Sequence, residues 1–317
     1  MKEHDVIIIG GGPAGLSCAL ECKDSNLSHV VLERARLTGG QLHEIKSPIP
    51  NLATRAPENG SELAAMMEAS IKNAQCNIQV SSPVKAVDFK NLTVQTDDAI
   101  YRGKAIFIAT GARFRKPDFR NLEKFGDYVF YKTGVDIKIF EDREVVVAGG
   151  GDSALFTAID LKEVARKITL VHRRSQFRGR LDLVAEVKAS KNIDVITESQ
   201  ITTLEGESHL RFIEVTNNKS NESSKIKADY VYAKLGYIPN SELFKNMLNL
   251  TESGHIVVDK NLATEIPGVF AGGDVTAMEY DRIAISMGHG CLAAGSILKY
   301  LESSSIDLIP DMNLLSK

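Results

Sequence analysis

The chain has 317 residues, with 38 Lys and Arg against 41 Asp and Glu and a formal net charge of −3. That length predicts two domains, and the near-neutral balance argues against nucleic-acid or anionic-membrane binding. Four cysteines exclude a disulfide scaffold and fit a reducing compartment. No stretch approaches the ~20 apolar residues of a membrane span, and the apolar run Val6–Ile9 is too short for a signal-peptide core. A cytoplasmic protein is expected.

In chain order, the first signal is Val6–Ile9, a β-branched run leading into Gly10-Gly11-Gly12-Pro13-Ala14-Gly15 and helix-favouring residues. This reads as a buried strand, a tight turn and a helix start. A second strand, Val30–Leu32, ends at Glu33. Strand-like runs follow at Val84–Phe89 and Leu92–Thr96, and then at Ala105–Ala109, which leads into Thr110-Gly111. Lys116-Pro117 breaks the pattern.

The pattern then restarts. Glu144–Ala148 leads into Gly149-Gly150-Gly151-Asp152-Ser153-Ala154, and a shift of 139 residues superimposes the two glycine segments without a gap. In each copy the first glycine permits the sharp turn, the third lets a diphosphate approach the backbone, and Gly15 or Ala154 lets helix and strand pack closely. Two such turns, each directly after a strand, predict two dinucleotide sites with phosphates on helix N-termini. Twenty-three residues after Gly10 stands Glu33, and twenty-three after Gly149 stands His172, followed by Arg173, Arg174 and Arg178. The acid suits a free ribose 2′-hydroxyl, as in FAD or NAD. The basic cluster suits a 2′-phosphate, which predicts NADPH.

Beyond the second turn, Asp182–Ala189 reads as a helix and Asn217–Ser224 as a hairpin loop. Tyr230–Lys234 runs to Gly236, and Pro239-Asn240 marks a second domain crossing. Val269–Ala271 leads to Gly273 and Asp274, and a helix is expected from about Ile283 to Leu301. Glu302–Lys317 shows no usable periodicity.

Together these motifs, with Thr38-Gly39-Gly40-Gln41 and Pro267–Asp274, resemble the low-molecular-weight thioredoxin reductases and the thioredoxin-reductase-like ferredoxin–NADP⁺ reductases. The resemblance covers Val6 to about Leu301. It implies an α/β fold of two three-layer, Rossmann-like domains, with an NADPH domain (residues 116–239) inserted into a split FAD domain (residues 1–115 and 240–317). It places Gly10, Gly12, Pro13, Ala14, Gly15, Glu33, Gly40, Gln41, Asn51, Thr110, Gly111, Gly273, Asp274, Arg282 and Ile283 along FAD. It places Gly149, Gly151, Asp152, Ser153, Ala154, His172, Arg173, Arg174 and Arg178 along NADPH. It also implies a homodimer and no metal.

One family feature is missing. A thioredoxin reductase carries Cys-x-x-Cys-Asp shortly before its second glycine motif. Here Asp136 matches the Asp, but Lys132 and Val135 stand where the cysteines belong. Neither can relay electrons as a dithiol, and Cys18 and Cys22 are four apart rather than three. The expected function is therefore an FAD enzyme that takes hydride from NADPH and passes electrons straight from the flavin to an external acceptor. Ferredoxin or flavodoxin is the first candidate. A small molecule or low-molecular-weight disulfide is the alternative, and a non-enzymatic flavin/NADPH sensor is a third. Lys132 and Asp136 are candidate catalytic residues by position alone.

Overall fold

The computed structural model describes residues 1–46, 48–53, 56–131, 135–277 and 282–306. The chain forms two compact units, Met1–Arg113 with Ile238–Lys317, and Phe114–Tyr237. The sequence reading placed its boundaries at 115/116 and 239/240, two residues further along at each crossing.

The first unit opens with β1 (Lys2–Ile9), α1 (Pro13–Asp24) and β2 (His29–Leu32). After a short 3-10 turn come α2 (Gly60–Asn73), β3 (Ile78–Gln79), β4 (Ala86–Asp88), β5 (Thr93–Gln95) and β6 (Ile100–Ile108). β1 is central and pairs in parallel with β2 on one side and β6 on the other. The alternation of β1 explains two cores. Val6 and Ile8 face α1 and α2, meeting Leu16, Leu63, Met67 and Ile71. Ile7 and Ile9 face the other way, toward Val94, Tyr101 and Phe244. A parallel strand buried on both faces needs this unbroken apolar run.

The chain leaves this unit through β7 (Ala112–Phe114). The second unit holds α3 (Leu122–Phe125), β8 (Val129–Phe130), β9 (Glu144–Ala148), α4 (Asp152–Leu161), β10 (Lys167–Val171), α5 (Leu181–Ala189) and β11 (Ile193–Ile196). An antiparallel trio follows, β12 (Ser199–Gly206), β13 (Leu210–Asn217) and β14 (Ser223–Lys227), and then β15 (Tyr230–Ala233). The main sheet runs β11-β10-β9-β15-β8, all parallel. β9 thus holds the place that β1 holds in the first unit. Its Val145 and Val147 pack under α4 and α5, while Val146 and Ala148 meet the antiparallel trio.

The chain returns through β16 (Tyr237–Pro239), which pairs with β7. β17 (Val269–Ala271) extends the first sheet beside β6, and α6 (Ile283–Ile306) lies along α1. The close approach of α6 to α1 depends on Gly290, where a Cβ would fall 2.2 Å from the Ala14 carbonyl oxygen. α6 runs five residues past the expected end at Leu301, to Ile306. Serines weaken a helix without breaking it, and no glycine or proline intervenes before Pro310. Residues 307–317 lie outside the described residues. Among the described residues, no helix is long and apolar enough to cross a membrane.

Candidate functional site

The first glycine turn is closed by its own backbone. Gly10 N–H donates to the Leu32 carbonyl at 2.9 Å. Gly10 has φ +112°, and a Cβ there would lie 2.3 Å from the Ala109 oxygen, so only glycine serves. At Gly15 a Cβ would lie 1.9 Å from the Gly10 oxygen, which seats α1 directly on the turn. Gly12 differs, because open space surrounds its missing Cβ. Pro13 starts α1, where a missing N–H costs nothing. Gly40 approaches from the next segment, its missing Cβ 3.4 Å from the Gly12 Cα.

Glu33 is 7% exposed, and both its oxygens are anchored. Oε2 accepts from Gly11 N–H at 2.7 Å, and Oε1 accepts from Ala35 N–H at 2.7 Å. The carboxylate is fixed at the mouth of a cavity of about 420 Å³ lined by Leu32, Glu33, Val84, Thr110, Arg113 and Asn240. Each anchored oxygen keeps a lone pair for a ligand hydroxyl. The Thr38 hydroxyl is buried with no hydrogen-bond partner among the described residues. A stranded donor beside an open glycine turn fits an absent phosphate-bearing ligand. These features fit the dinucleotide half of FAD.

Other residues expected along FAD gather in the same unit. Asp274 accepts from Ser286 Oγ at 3.0 Å and from Gln41 Nε2 at 3.4 Å. Thr110 Oγ1 donates to the Asn240 carbonyl, and Asn240 Nδ2 donates back to the Thr110 carbonyl, both at 2.8 Å. Gly111 follows with φ +65°. Arg113 donates to Asn240 Oδ1 and pairs with Glu242. Gly273 packs on Ala14, its missing Cβ 3.1 Å from the Ala14 Cβ. Arg282 and Ile283 stand at the start of α6, and Asn51 lies exposed in a turn. Val84, Arg113 and Glu242 carried no motif to mark them. Folding alone brings Arg113 and Glu242 together across 129 residues.

The second unit repeats the first in its hydrogen bonds as well as its letters. Gly149 N–H donates to the Val171 carbonyl at 3.0 Å, the counterpart of Gly10 to Leu32. Arg178 N–H donates to the Gly150 carbonyl at 2.8 Å, and Gly39 N–H donates to the Gly11 carbonyl at 2.7 Å. Each partner is displaced by the same 139 residues. Gly151 has open space at its missing Cβ, as Gly12 does. Asp152 and Ser153 open α4, and Ala154 lies buried beneath. Asp152 Oδ1 accepts Arg180 N–H at 2.8 Å and so ties the basic loop to the helix start.

His172 is separated from its arginines. The ring is buried, stacks on Phe177 at 5.2 Å, and Nε2 meets the Gln176 carbonyl at 3.0 Å. A Cβ at Gly150 would fall 2.2 Å from this ring, so His172 props the turn as Glu33 props Gly11. Burial pushes its pKa down, the hydrogen bond to the Gln176 carbonyl opposes this, and the nearby Arg178, Arg174 and Arg173 lower it further. The sequence grouped it with the cations, whereas folding makes it a spacer. Arg173, Arg174 and Arg178 stay exposed around it.

The segment of the missing dithiol lies in the same unit. Lys132 lies outside the described residues. Val135 packs partly buried against the α4-side core beside Phe130 and Phe140. Asp136 Oδ1 accepts from Lys138 N–H at 3.0 Å and caps the short 3-10 turn at residues 137–140. All four cysteines are free thiols. Cys18 and Cys22 are buried on α1 with sulfurs 4.0 Å apart, and burial pushes the Cys18 thiol up. A thiolate is not favoured there.

The family model described as pyridine nucleotide-disulphide oxidoreductase matches residues 4–290. The chain is 34% identical over 303 residues to a "34.2 kDa protein in rubredoxin operon" of Clostridium pasteurianum, covering 95% of this chain and 98% of that one. It is 32% identical to an alkyl hydroperoxide reductase chain of Staphylococcus aureus, of whose length it spans 59%. Thioredoxin reductase of Lactococcus lactis in the FR conformation superposes with TM-score 0.81 at 28% identity, covering 95% of this chain and 99% of that one. The chain belongs to the pyridine nucleotide-disulphide oxidoreductase family and is a thioredoxin-reductase-like, NADPH-dependent FAD oxidoreductase without the active-site disulfide.

Proposed function

We propose that this enzyme passes electrons from NADPH through FAD directly to a small electron-carrier protein. The observation that carries the reading is Val135. A valine packed, partly buried, against the core stands where a redox cysteine belongs, and the cysteines on α1 are buried. No dithiol relay is available among the described residues, so the acceptor must meet the flavin itself. A bound flavin supplies the conversion of a two-electron donor into one-electron transfers. Kinship with a protein of a rubredoxin operon supports a carrier of the one-electron kind.

In this reading the first unit holds FAD. Gly12, Pro13 and Ala14 open the backbone to the diphosphate, Glu33 accepts the ribose hydroxyls in the 420 Å³ cavity, and Asp274 orients the ribityl chain. The second unit holds NADPH. Gly149–Gly151 and the start of α4 carry its diphosphate, and Arg173, Arg174 and Arg178 clasp the 2′-phosphate. His172 keeps the turn open without adding charge.

The test is an acceptor panel for the holoprotein: rubredoxin, ferredoxin, flavodoxin, low-molecular-weight disulfides and oxygen, each with NADPH and with NADH. Reduction of a carrier protein well above any disulfide, with NADPH strongly preferred, is the expected result. Thiol titration before and after NADPH should show no new thiols. A disulfide as the best substrate, or two thiols appearing on reduction, would overturn the proposal.

A further inference from the structure

The hairpin between β13 and β14 carries no nucleotide motif, yet it holds the loop that does. Its turn is closed on itself. Asn217 Oδ1 accepts the N–H groups of Lys219 and Ser220 at 2.9 and 3.0 Å, and Asn221 N–H returns to the Asn217 carbonyl at 3.0 Å. An asparagine that bonds its own backbone in this way fixes the turn. The next side chain, Asn218, reaches outward instead. Its N–H donates to the Glu198 carbonyl at 2.7 Å, and its Nδ2 donates to the Arg173 carbonyl at 2.9 Å. Lys219 pairs with the Glu198 carboxylate at 2.5 Å and closes the same contact from the other side.

Three successive carbonyls of the basic loop are held in this way. His172 accepts from Ser199 N–H at 3.0 Å, Arg173 from Asn218 Nδ2 at 2.9 Å, and Arg174 from Glu198 N–H at 3.1 Å. Two of these donors are backbone groups at the start of β12, and Asn218 is the side chain among the three, so it is the one a substitution can remove. The other arm of the loop is tied elsewhere. Arg178 and Gly179 N–H both donate to the Gly150 carbonyl, at 2.8 and 3.2 Å, and Arg180 N–H donates to Asp152. None of those bonds involves the hairpin. The arm with Arg173 and Arg174 is thus set by the hairpin, and the arm with Arg178 by the glycine turn. A guanidinium gains most from a phosphate when its planar fork arrives already oriented, and ordering a free arginine on binding costs affinity.

We propose that Asn218 is a positioning residue for selection of the 2′-phosphate. By holding the Arg173 carbonyl it fixes where the two arginine stems leave the backbone, and so sets the preference for NADPH over NADH. The proposal rests on the reading of this unit as the NADPH site. Asn218 is uncharged, so it acts through the arginines and adds no attraction of its own.

Binding of NADP⁺ and of NAD⁺ to the flavin-loaded protein, read by calorimetry, tests this. Asn218, Arg173 and Arg174 are all exposed, so Asn218→Ala should melt as the natural chain does. It should weaken NADP⁺ by about threefold to tenfold, the worth of one hydrogen bond, and leave NAD⁺ unchanged. In a chain that already carries Arg173→Ala and Arg174→Ala, the same change should weaken NADP⁺ no further. Asn218→Ser, which suits the turn but falls short of the Arg173 carbonyl, serves in its place if the alanine variant melts early. Unchanged NADP⁺ affinity, an equal loss for both ligands, or a full loss that persists without the arginines would overturn the proposal. If the arginine pair itself leaves NADP⁺ binding intact, the NADPH reading of the unit fails and the proposal falls with it. An arginine effect without an Asn218 effect overturns the proposal alone.

Discussion

Glu33 and His172 show how one register position serves two chemistries. Both lie 23 residues beyond the first glycine of their motif, and both pack on the middle glycine. Glu33 also binds two backbone N–H groups. Glu33→Ala strands the buried Gly11 N–H, at about 1–3 kcal/mol, and leaves the N–H of exposed Ala35 to water. The variant should lose FAD and melt early, as read by flavin absorbance and thermal unfolding, and normal flavin content with a normal melt would remove Glu33 from the site. Lys234 makes a prediction of the opposite kind. An unfolded lysine holds its proton up to an ordinary pKa of 10.5, whereas burial lowers that of folded Lys234 to about 8. Between these values the unfolded chain binds more protons, so this residue makes stability rise with pH across that window. Urea unfolding without nucleotide at pH 7.5 and pH 10 should show a rise that is smaller in Lys234→Met. An equal rise in both proteins would show that Lys234 titrates normally.

At the scale of elements, the β-branched runs and glycine spacings were legible because strand, turn and helix start are local chemistry. Glu33 was legible for the same reason, since its distance along the chain fixes its place at a strand end. The α1–α6 contact was not. Gly290 sits within a long helix and carries no signal of its own, yet its missing Cβ would meet the Ala14 oxygen at 2.2 Å and the Cys18 nitrogen at 2.8 Å. Only packing across more than 270 residues gives it meaning. Gly290→Val should push α6 from α1 and cost upward of about 1–3 kcal/mol, the range for overpacking a core. Gly288, two residues earlier but with open space at its missing Cβ, is the control. Valine at 288 should cost nothing, since valine is a better helix former than glycine by about a few tenths of a kcal/mol. Equal losses at the two positions in denaturant unfolding would count against the helix contact. His172 was misgrouped for a related reason: a charge run looks uniform in sequence, and only the fold shows that its first member is buried.

At the scale of the whole molecule, each compact unit carries its own open glycine turn, so under the proposed assignment the two ligands should be separable by one substitution each. Gly12 and Gly151 suit this test better than the other motif glycines. Gly10, Gly15 and Gly149 would drive a Cβ into backbone or a buried side chain at 1.9–2.8 Å, so a variant there reports folding failure. Gly12 and Gly151 have open space at the missing Cβ and extended backbone, with φ −82° and −99°. A β-branched residue is comfortable in that conformation, so valine at either position keeps the fold and fills only the room a diphosphate would use. Gly12→Val should therefore purify folded and colourless while binding NADP⁺ as the natural chain does. Gly151→Val should purify yellow, with full flavin content, and bind NADP⁺ at least tenfold more weakly by the loss of backbone approach. Circular dichroism, flavin absorbance and NADP⁺ calorimetry on the two variants read all four outcomes. Flavin retained in Gly12→Val, or lost in Gly151→Val with NADP⁺ binding intact, would reverse the assignment of cofactors to units. Loss of both ligands in either variant would show that the two turns are coupled and not independent.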